Sequence, residues 1–253
     1  MAKKFLKVIL KYYLKLITKL ILTVHNPTII AVAGSLNKTF TRDEIKIILE
    51  KAGKNIRANP RSFNTEIGLP LAILNLPSGY NSYHEWWIVI RKTFRALFQK
   101  NFPDYLVLEL GVSCVGDMRY LLSIVTPVIS VITDITQRYL ESFSSMNDLM
   151  AEYILLIRKT KKSGAVILNY DNLRIKELAK KSQSPVIYFG KTCEKKNDWN
   201  VLNITKIETG QIVKIKHQEK IQEFIISRFG QHHAFALATS LAVAEIILAK
   251  TEK

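Results

Sequence analysis

TIIAVAGSLNKTFTRD, residues Thr28–Asp43, reads as an apolar strand, a tight turn and a helix opening at Lys38-Thr39. Such a turn aims backbone N–H groups and a helix N-terminus at one point, an arrangement suited to phosphate. In that reading Gly34, Ser35, Leu36 and Asn37 form the cradle, Lys38 reaches the outer phosphates and the Thr39 hydroxyl sits on a magnesium ion. The glycine that usually precedes the lysine is Asn37 here. Asparagine tolerates a left-handed backbone, so the turn survives the exchange. On its own the stretch reads equally well as an ordinary strand-to-helix turn, and the rest of the chain must decide.

Outward from that turn, the composition is that of a folded domain. The chain has 253 residues, of which 48% are hydrophobic and 23% charged. These values fit one large domain, or a domain with an appendage, and exclude a disordered chain. A net charge of +16 asks for an anionic partner: lipid, nucleic acid or a phosphorylated metabolite. Two cysteines, Cys114 and Cys193, make no disulfide framework and show no metal spacing, which fits a reducing compartment. No zinc-type histidine spacing occurs; His232-His233 is the one adjacent pair.

Before the turn, residues 1–22 carry Lys3, Lys7, Lys11, Lys15 and Lys19, one every fourth position, with apolar residues between. At helical pitch the lysines drift round one side and leave a wide apolar face. A spanning helix would not hold a lysine in every turn, and a secretory signal needs an unbroken apolar region. The segment is expected to lie on an anionic membrane surface, or else to pack on its own domain or a partner. Asn26-Pro27 ends it.

After the turn, apolar strands alternate with helical stretches. Strands are expected at 28–33, 105–110, 128–133, 165–169 and 185–190; helices at 41–52, 67–76, 84–99, 117–125, 144–160 and 173–181. Residues 55–64 read as a polar, basic loop. That order predicts an α/β fold, a mostly parallel sheet with flanking helices, with ligands at the C-terminal strand ends. Gly34–Thr39 and Glu109, at the end of YLVLEL, lie on that edge. Beyond Gly190 the pattern changes to a small antiparallel hairpin (201–207 with 211–216), a short strand at 223–229 and a closing helix at 233–250. The aromatic residues Trp86, Trp87, Phe94 and Phe98 among arginines are expected to pack into the core at helical spacing. A nucleic-acid role ranks below the others, because no recognised nucleic-acid-binding signature is present.

Five blocks, in order, resemble the ATP-binding central domain of the Mur ligases, which build peptidoglycan precursors. They are most like the branch that adds D-alanyl-D-alanine to a UDP-muramoyl tripeptide. AGSLNKTFT (33–41) is similar to the family's phosphate loop and SFNTEIGLP (62–70) to its Asn-Asn-Glu-Ile-Gly loop. LVLELGVSCVGDM (106–118) resembles the strand bearing the magnesium-binding glutamate. PVISVITDI (127–135) with LNYDN (168–172), and FGQHHAFALATSLAVA (229–244), resemble later strands and the closing helix. The resemblance implies a P-loop NTPase-like fold over residues 26–253, with residues 1–25 as a basic amphipathic helix and the family's UDP-binding and C-terminal domains absent. It implies ATP and Mg2+ as cofactors, Lys38 and Glu109 as catalytic, Thr39 and Glu109 as metal ligands, and His232 with the loop in nucleotide binding. Asn64, Thr65 and Glu66 fall at substrate-binding positions.

Several positions depart from the family's pattern. Tyr139 stands for a metal-associated histidine, Tyr153 for a carbamylated lysine, Ala236 for an adenine-contacting asparagine and Asn172 for an aspartate. A tyrosine cannot be carbamylated, and a neutral phenol is a poor magnesium ligand. Two functions therefore compete. One is ATP-dependent joining of a carboxylate to an amine on a UDP- or lipid-linked muramoyl peptide, with a separate partner chain supplying the missing domains. The other is a catalytically degenerate, membrane-associated nucleotide-binding or scaffold protein. Either is expected in the cytoplasm, peripheral at the inner face of the membrane.

Overall fold

The computed structural model describes residues 2–60, 62–79, 83–137, 142–193 and 195–249. In chain order its strands are β1 (Thr28–Ala33), β2 (Ile56–Ala58), β3 (Tyr105–Glu109), β4 (Ile129–Ile132), β5 (Ala165–Asn169), β6 (Val186–Gly190), β7 (Trp199–Ile207), β8 (Gly210–His217) and β9 (Lys220–Ile226). The helices are α1 (Ala2–His25), α2 (Lys38–Lys51), α3 (Gly68–Ile73), α4 (Tyr83–Leu97), α5 (Asp117–Leu122), α6 (Met146–Lys159), α7 (Leu173–Ala179) and α8 (Gln231–Ala249).

All nine strands join one sheet in the order β2-β3-β1-β4-β5-β6-β7-β8-β9. The pairings from β2 across to β7 are parallel; β8 and β9 continue the sheet antiparallel. This is the expected α/β architecture, except that the antiparallel region is a three-stranded meander where a hairpin and a separate strand were expected. The β8–β9 turn explains the difference. Gln218 and Glu219 both take positive φ (49° and 68°), so the chain reverses tightly without the Asn-Gly or Asp-Gly pair that would mark such a turn in sequence.

Successive strand residues face opposite sides, and each side is buried under helices. Ile29, Ala31 and Ala33 of β1 share a core with α1 and α3 to α7, while Ile30 and Val32 pack with Ile45 and Leu49 of α2 and with α8. α8 is apolar all round and long enough by composition to cross a membrane; most of its buried residues sit in that second core, where it packs beside α2 on the same face of the sheet. β2, a three-residue strand inside the expected 55–64 loop, pairs with β3 at the sheet edge and is too short to leave a periodic signal.

α1 packs one face onto the domain. Leu14, Ile17, Thr18 and Ile21 are buried, and the Tyr13 hydroxyl hydrogen-bonds Thr93 Oγ1 of α4 at 2.6 Å. α4 differs from expectation: Val89, Thr93 and Ala96 form its buried row, whereas Trp87, Phe94 and the following Phe98 point outward. The helix does have an amphipathic face, but three of the four large aromatic residues lie off it.

Candidate functional site

β1 and β3 are neighbours in register, with Val32 opposite Glu109, so the turn after β1 and the glutamate ending β3 share one edge of the sheet. Here the loop 34–37 turns into α2. Asn37 adopts φ 64°, ψ 6°, the left-handed conformation a glycine would supply. Gly34, at φ +138°, lies against β4: a Cβ there would sit 2.3 Å from Thr133 Oγ1. Thr133 Oγ1 donates to Leu36 O at 2.6 Å, and Ser35 N donates to Asp134 O at 2.7 Å. The loop is thus clamped from the adjacent strand end. Lys38, in the first turn of α2, donates from Nζ to Gly34 O at 2.8 Å, which holds its ammonium over the loop.

Glu109, buried despite its charge, is the hub. Thr39 Oγ1 donates to Glu109 Oε2 at 2.9 Å, and Arg42 Nη1 reaches the same oxygen at 3.3 Å. Asn64 Nδ2 donates to Oε1 at 2.9 Å. The glutamate's backbone is gripped by the Asn59 amide, which accepts from Glu109 N at 2.7 Å and donates to Glu109 O at 3.0 Å. Gly111 leaves room for Asn64, since a Cβ at that glycine would lie 2.9 Å from Asn64 Cγ.

Thr39 Oγ1 and Glu109 Oε2, joined by an ordinary hydrogen bond with Arg42 on the same carboxylate oxygen, are also close enough to share one magnesium ion. Two oxygens on adjacent corners of an octahedron with bonds of about 2.0–2.1 Å lie roughly 2.9 Å apart. The Thr39–Glu109 oxygen separation is 2.9 Å. Among the described residues no cluster of three or more His, Cys, Asp or Glu forms a closed cage. Such a donor set suits magnesium, which keeps waters and phosphate oxygens as its other ligands.

The remaining expected positions fall around this hub or away from it. His232, at the start of α8, lies beside the loop's helix: its ring is 5.0 Å from that of Phe40, and His233 is 4.7 Å from the same ring. Burial lowers the pKa of His233, and the charges of His232 and Arg228 add to the shift. Thr65 is exposed, and its carbonyl accepts from Leu69 N. Glu66 turns toward α1 and pairs with Lys11, whose ammonium also sits 4.0 Å from the Tyr120 ring. Beside that cluster the Tyr120 phenol is pushed up to about 12 by burial, with Glu66 contributing.

Tyr153 is 1% exposed and lies in the core beneath α6, while its neighbour Glu152 caps α5 by accepting from Gly116 N and Met118 N. Ala236 is buried in α8. Asn172 caps α7, accepting from Arg174 N and Ile175 N, and also donates to Asp134. Tyr139 lies outside the described residues. Asn59, Arg42 and Thr133 were not singled out from the sequence. Arg42 was within reach of it, since three residues after Thr39 a helical side chain returns to the same face.

Comparison with known proteins identifies the family and the fold. A profile of the Mur ligase middle domain matches residues 32–244. The UDP-N-acetylmuramoyl-tripeptide–D-alanyl-D-alanine ligase of Mycobacterium leprae is 31% identical over 160 residues, covering 63% of this chain and 26% of that protein. The enzyme of the same name from Bacillus subtilis is 24% identical over 223 residues, covering 85% of this chain and 40% of its own length. The chain therefore spans less than half the length of these relatives. Among solved structures, MurF ligase from Thermotoga maritima in complex with ADP superposes with a TM-score of 0.76 at 21% identity, covering 94% of this chain and 49% of that one. MurF from Acinetobacter baumannii gives 0.75 at 17% identity, with 94% and 47% covered. The matched span runs from the end of β1 through most of α8 and takes in the loop, Glu109 and both histidines, so this chain belongs to the Mur ligase middle-domain family.

Proposed function

We propose that the chain is the ATP-binding, phosphoryl-transferring unit of a carboxylate–amine ligase acting on a peptidoglycan precursor. The observation that carries it is the meeting, at one sheet edge, of a clamped loop that presents Lys38 with Thr39 hydrogen-bonded to the buried Glu109. In the proposed reaction a substrate carboxylate oxygen attacks the γ-phosphorus of ATP, giving an acyl phosphate and ADP. An amine then adds to the acyl carbon, inorganic phosphate leaves and an amide forms. Phosphoryl transfer of this kind needs positioning and charge neutralisation more than covalent help from the protein.

Loop N–H groups and the α2 N-terminus bind the phosphates, with His232 beside them, and Lys38 neutralises the outer oxygens. Thr39 and Glu109 would hold Mg2+, which would neutralise charge between the β- and γ-phosphates. Arg42 and Asn64 fix the Glu109 rotamer, and Asn64, Thr65 and Glu66 form the wall next to the acceptor. UDP-linked or lipid-linked muramoyl peptide is the proposed acceptor class. The amine-holding unit comes from outside residues 26–253, on a separate chain or a further domain, and the site works at the inner face of the membrane.

One observation favours a second reading, a degenerate relative that binds nucleotide without ligating. Tyr153, at the position that resembles a carbamylated lysine, is packed in the core and offers a neutral phenol, a poor magnesium ligand, in place of a carbamate. Transfer of the γ-phosphoryl group separates the two. With ATP, Mg2+ and a UDP-muramoyl tripeptide, the ligase reading expects tripeptide-dependent formation of ADP and acyl phosphate, trapped with hydroxylamine, that Glu109→Gln abolishes. Nucleotide binding with no tripeptide-dependent ADP would leave the second reading standing.

A further inference from the structure

Two neighbouring helices turn large apolar side chains away from the core. On α1, Tyr12, Leu16 and Leu20 recur at helical spacing opposite the buried Leu14, Ile17 and Ile21; Leu16 is 67% exposed. On the α4 side, Trp87, Phe94 and Phe98 are 61%, 55% and 79% exposed. The two helices touch through Tyr13–Thr93 and through the His25 ring, which meets Ala96 O at 3.2 Å, so the two outward rows lie on neighbouring helices. Charge on these two helices is predominantly positive. α1 contains no aspartate or glutamate, and α4 contains one acidic residue, Glu85. Lys7, Lys19, Arg91, Lys92 and Arg95 are exposed around the apolar rows. Lys11 and Lys15 differ, both lying over the Tyr120 ring, at 4.0 and 5.2 Å.

We infer that the α1–α4 face docks onto an anionic phospholipid surface, its aromatic and leucine side chains entering the headgroup boundary and its lysines and arginines meeting lipid phosphates. Protein–protein interfaces are depleted in lysine at their centre, whereas interfacial membrane faces combine Trp, Phe and Leu with Lys and Arg. The predominantly positive charge complements an anionic leaflet. Because α1's other face is built into the core, the docking element is the whole domain surface rather than a detachable peptide. The inference gives a surface and a lipid chemistry to the membrane-side placement proposed above, and rests on that placement alone. It does not depend on nucleotide binding.

The test is co-sedimentation of the full chain with phosphatidylcholine vesicles with and without phosphatidylglycerol, with Trp87 fluorescence followed in parallel. The expected result is binding only to the phosphatidylglycerol vesicles, weakened by added salt, with a blue shift that Trp87→Phe removes. A variant combining Leu16→Ser, Phe94→Ser and Phe98→Ser should lose at least about tenfold in vesicle affinity, since it removes exposed apolar area. Circular dichroism and ATP affinity of that variant should match wild type, so that failure of docking and failure of the nucleotide reading are read separately. Equal binding to both vesicle types, no binding to either, or unchanged binding by the triple variant would overturn the inference. So would self-association through this face, detected as a dimer that the triple variant dissolves.

Discussion

At the scale of single residues, Glu109 is held more firmly than a carboxylate at a strand end needs to be. Three side chains meet its carboxylate, and Asn59 satisfies both backbone groups. Burying a carboxylate is costly unless it is paired and hydrogen-bonded, so this network fixes where the charge can sit. Asn59 should therefore matter without touching any ligand. Asn59→Ala would leave Glu109 N, Glu109 O and Phe63 O without these partners and should lower stability by about 2–3 kcal/mol, measured by urea denaturation. A change below about 0.5 kcal/mol would mean that the clamp is dispensable.

The loop, the lysine and the glutamate were legible in sequence because each lies in a local pattern. Asn59 and Thr133 were not, because their partners are remote: Asn59 and Glu109 are 50 positions apart. Asn37 was legible in a different way. Its left-handed backbone follows from the residue type, and the structure has it at φ 64°.

At the scale of elements, α1 and α4 each divide into an inward and an outward row, and two substitutions separate these. Leu14→Ala on the buried row of α1 should cost about 2–5 kcal/mol through lost burial and a cavity. Leu16→Ala, two residues away on the outward row, should stay within about 0.5 kcal/mol. Equal effects, measured by thermal or chemical denaturation, would contradict the packing of α1 on the domain. The 24-residue helix was legible from its periodicity, but the direction of its rows was not. A helix whose apolar residues spread around most of its circumference can bury either side, and only its neighbours α3 and α4 choose. The same ambiguity concealed the outward aromatic residues of α4.

The start of α8 carries a pH dependence. His233 has its pKa lowered from 6.5, chiefly by burial, so between that value and its native pKa the unfolded chain binds more protons than the folded one. Its contribution to stability is therefore full above pH 6.5 and is lost as pH falls through that range. Melting temperature should drop on going from neutral to mildly acidic pH by more in wild type than in His233→Gln. Parallel drops in the two proteins would show that other groups carry the acid sensitivity.

At the scale of the whole molecule, the sheet order puts the loop after β1 between β3, which brings Glu109, and β4, followed by Thr133 and Asp134. A parallel sheet gathers its functional side chains at one edge in this way, and alternating strands and helices announce that edge in advance. The antiparallel strands β7 to β9 extend the sheet on the far side of β6 and contribute none of the Glu109 partners. The fold, and the placement of the 34–39 turn and Glu109 on one sheet edge, could thus be read from residue order. The way Tyr153 and Glu152 were absorbed into the core and the α5 cap could not, because it depends on packing between α5 and α6.

The central claim is that this edge binds a magnesium–nucleotide pair through Lys38, Thr39 and Glu109. Isothermal titration of ATP into wild type and Lys38→Ala, with Mg2+ and with EDTA, tests it most directly. The account predicts micromolar affinity in wild type with Mg2+, weakened by chelation and reduced by about a hundredfold or more in Lys38→Ala, in line with a lost charge-assisted phosphate contact. Absent or millimolar binding in wild type, or an affinity indifferent to both Mg2+ and Lys38, would contradict it.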